Sequence, residues 1–84
     1  MSIRNDIANE FRRAVVDPQN ISYGEPNWDF VEADIMIGVG LDRIIEEMGS
    51  LEEFYSHFNK LVGLHIALEA ACPTIASRLA EEVA

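Results

Sequence analysis

His65, Glu69 and Cys72 are the side chains in this sequence best suited to chemistry. Imidazole, carboxylate and thiolate are all zinc ligands, and the same three groups can move protons. They stand at i, i+4 and i+7, along one line of a helix. That line is about 10 Å long, too far for one ion to reach both ends without ligands from elsewhere. His57 is too far back along the same helix to help. The plainer reading is a His65–Glu69 contact within the helix, with Cys72 as a small apolar filler. Catalytic motifs are missing too. The sequence has no serine elbow and no H-E-x-x-H, and no basic residue beside Cys72 to lower its pKa. Glu46-Glu47 and Glu52-Glu53 read as solvent-facing pairs, where nothing tunes a carboxylate for acid catalysis. The expectation is therefore no catalytic residues, no metal site, no cofactor and no enzyme activity.

ADIMIGVGLDR, residues 33–43, raises a second possibility, because Gly38-Val39-Gly40 supplies G-x-G. Arg43 stands where the dinucleotide fingerprint needs its third glycine, and no G-K-[ST] follows. A phosphate loop is not expected. Inside a helix each glycine costs about 1 kcal/mol relative to alanine. Both are therefore expected to admit a close neighbour.

Charge is the strongest signal. The chain carries −9 in all, and residues 25–53 hold −8 of it, with Arg43 as their sole cation. Direct nucleic-acid binding needs a basic footprint, and none is visible. An acidic surface attracts basic partners instead. Glu46 and Glu47 fall in the last turn of one expected helix, where negative charge opposes the helix dipole. Glu52 and Glu53 open the next, where it is favourable. With Asp42 they make an acidic ridge across the Gly49-Ser50 break.

The elements that position this ridge read as helices. Ile3, Ile7, Phe11 and Val15 recur at helical spacing over residues 2–16, with Ser2 as a cap and Asp17-Pro18 as the stop. Residues 17–26 form a connector, with Ile21 and Tyr23 expected to tack it onto the core. Residues 28–48 read as one long helix, capped by Asn27 and closed by Gly49. A hairpin over residues 28–41 competes, since Ile35, Ile37, Val39 and Leu41 alternate. Ser50-Leu51-Glu52-Glu53 is a capping-box pattern opening a helix over 51–71. Its stripe is Leu51, Phe54, Tyr55, Phe58, Leu61, Val62, His65, Leu68 and Cys72. Pro73 ends it, and a short helix over 74–83 is expected, with Ile75, Leu79 and Val83 on one side.

The fold class expected is all-α: a small bundle of three to four helices (about 2–16, 28–48, 51–71 and 74–83) in a single domain, 1–84, completed by dimerisation. A chain this short buries a limited core, and a second copy is a common remedy. The 28–48 helix is apolar on two sides. Phe30, Ile37, Leu41, Ile44 and Met48 make one set and Trp28, Val31, Ile35 and Val39 the other. The second set is the expected oligomer interface. The start MSIRNDIANEFRR lacks an apolar signal region, and no apolar run approaches a membrane span. A cytoplasmic protein is expected.

The leading functional expectation is an acidic helical module that binds a basic protein, as an inhibitor occupying its nucleic-acid-binding surface. Asp42, Glu46, Glu47, Glu52 and Glu53 are the expected contacts. The alternatives are an assembly subunit acting as a homodimer and a small metal- or ligand-binding protein built on His65, Glu69 and Cys72.

Overall fold

Ile3, Ile7, Phe11 and Ala14 form an i, i+4, i+8, i+11 line, and all four are buried along helix α1 (Ile3–Ala14). The computed structural model describes residues 2–71. Helix α1 is followed by a 3-10 turn (Pro18–Asn20) and a two-stranded hairpin, β1 (Ile21–Ser22) and β2 (Glu25–Pro26). Then come α2 (Trp28–Val39), α3 (Leu41–Met48) and α4 (Leu51–Ala71). The described residues are thus a helical fold with one minute antiparallel ribbon, paired Ile21 with Pro26 and Ser22 with Glu25. The helix expected over 74–83 lies outside the described residues.

Two of the helix starts, those of α2 and α4, are fixed by a side-chain cap. Asn27 Oδ1 accepts from the Asp29 and Phe30 amides at 3.1 and 3.3 Å, satisfying donors that α2 cannot pair internally. Ser50 Oγ accepts from the Glu53 amide at 3.2 Å and so caps α4. Ser2 precedes α1, but its hydroxyl makes no capping bond. Asp17 does not simply stop α1; its carboxylate accepts from the Gln19 amide at 3.0 Å and caps the 3-10 turn.

The competing 28–41 hairpin does not form: those residues are helical up to Val39, as the leading reading expects. Two expectations are corrected. The single helix over 28–48 is broken at Gly40, whose φ of 103° lies outside the range that L side chains readily adopt. The connector is not held by Ile21 and Tyr23, which are both exposed. Tyr23 and Gly24 both have positive φ and form the tip of the ribbon. The anchor is Asn20, the one buried polar residue among those described. Its Nδ2 donates to the Ala14 carbonyl at 3.0 Å and to Asp34 at 2.9 Å. One side chain thus ties the end of α1, the turn and α2 together.

The core is one cluster. α1 contributes Ile3, Ile7, Phe11 and Ala14, and Val15 adds to it just past the helix end. Val31 and Ile35 of α2, Ile44 of α3, and Phe54 and Phe58 of α4 complete it. The Phe11 ring stacks on Trp28 at 6.1 Å between centroids and meets Phe58 edge-on at 5.9 Å. The stripe of α4 is covered only in part. Phe54 and Phe58 are buried and Leu61, Val62 and His65 half-buried, but Tyr55 and Leu68 are exposed, as are Leu64 and Ile66 beyond the stripe.

Candidate functional site

The acidic ridge begins on α3, whose eight residues LDRIIEEM separate sharply by face. Ile44 is buried and Met48 half-buried, which orients the helix. Asp42, Glu46 and Glu47 are consequently exposed. Gly49 ends α3 in the left-handed conformation at φ 95°, and α4 starts two residues later. Glu52 and Glu53, in the first turn of α4, are exposed as well. All five expected carboxylates therefore stand in solvent, three along α3 and two in the first turn of α4.

Cations and acids are partitioned unevenly. Arg43, the cation of this segment, bonds Glu47 on its own helix and Asp6 of α1. Both carboxylates hold its guanidinium pKa above the ordinary value. Arg13 is engaged in the same way. It bonds Asp34 at 2.9 Å and Glu10 at 2.8 Å, with its pKa raised by those two hydrogen bonds. The Asp34 carboxyl is correspondingly held below its ordinary range, first by Arg13 and then by Asn20. Asp42, Glu46, Glu52 and Glu53 make no ion pair among the described residues. Four of the five ridge acids are thus left with an unneutralised field. Glu32 on α2 lies in a similar one: burial and then the nearby Asp29 push its carboxyl pKa up.

The expected interface residues sit elsewhere. Val31 and Ile35 have no exposed surface, because α2 turns that side onto α1 within the same chain. Trp28 and Val39 pack against the same core. The stripe Trp28, Val31, Ile35 and Val39 is the chain's own core face, which corrects its assignment as a surface for a second copy. The α2 side facing solvent carries Phe30, Ala33 and Ile37, and Ile37 is 82% exposed.

His65 Nε2 lies 3.2 Å from Glu69 Oε1, the expected i, i+4 contact. The pair lacks hydrogen-bond geometry, so the buried Nε2 has no bonded partner. The imidazole is instead held edge-on by Phe11 and Trp28 at 6.1 and 5.7 Å. Cys72 lies outside the described residues. No group of three His, Cys, Asp or Glu side chains among the described residues is placed to hold a metal ion. None of the described helices is long and apolar enough to cross a membrane.

A polar cleft of about 240 Å³ opens between α1 and the α2–α3 junction, lined by Asp6, Glu10, Gly38 and Arg43 among others. Its charges already face one another: Asp6 is bonded to Arg43, and Glu10 to Arg13. Gly38 has a definite role here. A Cβ at that position would come within 2.6 Å of Glu10 Oε2, so the glycine admits the carboxylate. The Asn20–Asp34–Arg13 and Asp6–Arg43 links were not visible in sequence, since they join residues 14 to 37 positions apart. Compared with known protein families, curated proteins and solved structures, the chain matches none.

Proposed function

We propose that this chain is an acidic protein-interaction module. Its ridge of Asp42, Glu46, Glu47, Glu52 and Glu53 docks on a basic protein surface, of the kind that otherwise binds nucleic acid, and so acts as an inhibitor. One observation carries this reading. Arg13 and Arg43 are engaged internally, while four ridge carboxylates stand exposed with no cation among the described residues. Such a field steers a basic partner and raises its association rate more than it raises final affinity. The test is capture from the native host lysate over a salt series, comparing wild type with a variant carrying Glu46→Gln, Glu47→Gln, Glu52→Gln and Glu53→Gln. The expected result is a basic, nucleic-acid-binding protein that the variant retains poorly. Equal retention at every salt concentration contradicts the proposal.

A second reading has one observation in its favour. Phe30, Ala33 and Ile37 form an i, i+3, i+7 apolar row on the side of α2 opposite the core. An assembly subunit would pair copies through this row. The −8 segment carried by each copy opposes that pairing. Sedimentation at several concentrations decides: a monomer throughout removes the reading, and a dimer that Ile37→Ser abolishes supports it.

A further inference from the structure

On α3 the exposed apolar and acidic side chains are not mixed at random. Leu41 and Ile45 are one turn apart and are 44% and 41% exposed. Asp42 and Glu46 are also one turn apart and exposed, and they occupy the adjacent arc of the same helix. The buried side of α3 is accounted for by Ile44 and Met48. An apolar row thus runs alongside an unneutralised acidic row.

We propose that this face of α3 is a docking site for a basic amphipathic helix of the partner protein, with its apolar positions on Leu41 and Ile45 and its Lys or Arg side chains against Asp42 and Glu46. The inference rests on the acidic-module reading and supplies its surface and the partner's chemistry. Charge selects this occupant. A purely apolar partner would leave the carboxylates to be desolvated without compensation, which is unfavourable. A purely cationic strand would leave Leu41 and Ile45 in water and gain nothing from them. A second copy is a poor match. Arg13 and Arg43 are bonded to carboxylates within the chain, which leaves Arg4, Arg12 and Lys60 among the described residues, none of them on this face of α3, to meet four unpaired acids on the other copy. A helix in a groove or on a face, read by i, i+4 anchors, is a common recognition mode.

The test uses two synthetic peptides of identical Leu and Lys composition. One places leucines at helical spacing along one side; the other is scrambled so that no apolar side forms. Binding to the full chain is read by fluorescence anisotropy over a salt series. The patterned peptide is expected to bind about tenfold more tightly than the scrambled one. In an L41S/I45S variant that advantage should disappear while the salt dependence stays. In a D42N/E46Q variant both peptides should weaken and the salt slope should flatten. Circular dichroism confirms that each variant is folded, as expected for exposed positions. If L41S/I45S keeps the full advantage while D42N/E46Q weakens both peptides, the docking face is overturned and the acidic module stands. If neither peptide shows salt-dependent binding, both fall. If sedimentation shows a dimer that L41S/I45S abolishes, the occupant is a second copy and the inference is overturned.

Discussion

Asn20 shows how much one loop residue can fix. Its two hydrogen bonds reach α1 and α2 from a turn, and they leave the Ala14 carbonyl and Asp34 satisfied. Asn20→Ala removes two hydrogen bonds from a buried position, although Ala14 keeps the Asp17 amide and Asp34 keeps Arg13, so about 1–3 kcal/mol of stability should be lost, measured by urea unfolding. A change under about 0.5 kcal/mol, the level of an ordinary surface substitution, would contradict this role. His57 gives a residue-scale prediction of a different kind. Its Nε2 is buried without a partner. Burial holds its pKa below the ordinary histidine value; a hydrogen bond with the Arg4 backbone opposes this, and weaker repulsion from the Arg4 and Lys60 charges adds to the lowering. Well above pH 6.5 the imidazole is neutral in both folded and unfolded states, and stability is full. As pH falls below that value the unfolded chain binds the proton first. Stability should therefore drop until pH passes the folded-state value. Asp34 acts lower, since its carboxyl is held below 3.8 and its contribution is lost only as pH falls through that lowered value. The urea midpoint should therefore decline as pH falls below about 7, through the ordinary histidine range. His57→Gln should flatten the decline, and an unchanged slope would exclude His57 as its source.

At the scale of elements, the two glycines of ADIMIGVGLDR divide their roles. Gly38 is helical and makes room for Glu10, whereas Gly40 takes the positive φ that separates α2 from α3. Gly40→Ala must strain that backbone and should cost about 1–3 kcal/mol. Gly38→Ala gains about 1 kcal/mol of helix propensity but displaces the end of the Glu10 side chain, so the net change should be small. Thermal unfolding of both variants checks the contrast; an equally large loss at Gly38 would mean that Glu10 cannot move. The break at Gly40 also explains which parts of the architecture were legible. The caps at Asn27 and Ser50 and the core stripe of α1 are local patterns, and each was readable from spacing alone. The face of α2 was not. Extending one helical wheel across residue 40 joined Phe30 and Ile37 to Leu41, Ile44 and Met48, although the backbone changes direction between them. That join made Val31 and Ile35 look like an outer face when they are the core. The wheel was sound within α3, where Asp42, Glu46 and Glu47 emerge in solvent as their spacing implied.

Across the whole molecule the organising feature is where charge is neutralised. Asp34 and Asp6 join α2 and α3 to α1 through Arg13 and Arg43, while α3 and the first turn of α4 keep their acids exposed. The uneven charge was legible in the sequence. The internal engagement of the arginines was not, because it depends on contacts between residues distant along the chain. Exposed ion pairs contribute only about 0–1 kcal/mol each, so the ridge acts collectively and is sensitive to salt. The most direct measurement is the association rate of a basic partner with the full chain across a salt series, for wild type and for the E46Q/E47Q/E52Q/E53Q variant. The account predicts a wild-type rate that falls steeply with salt and a variant rate about tenfold lower at low salt, with the two converging as salt rises. Equal rates with equal salt slopes would contradict it.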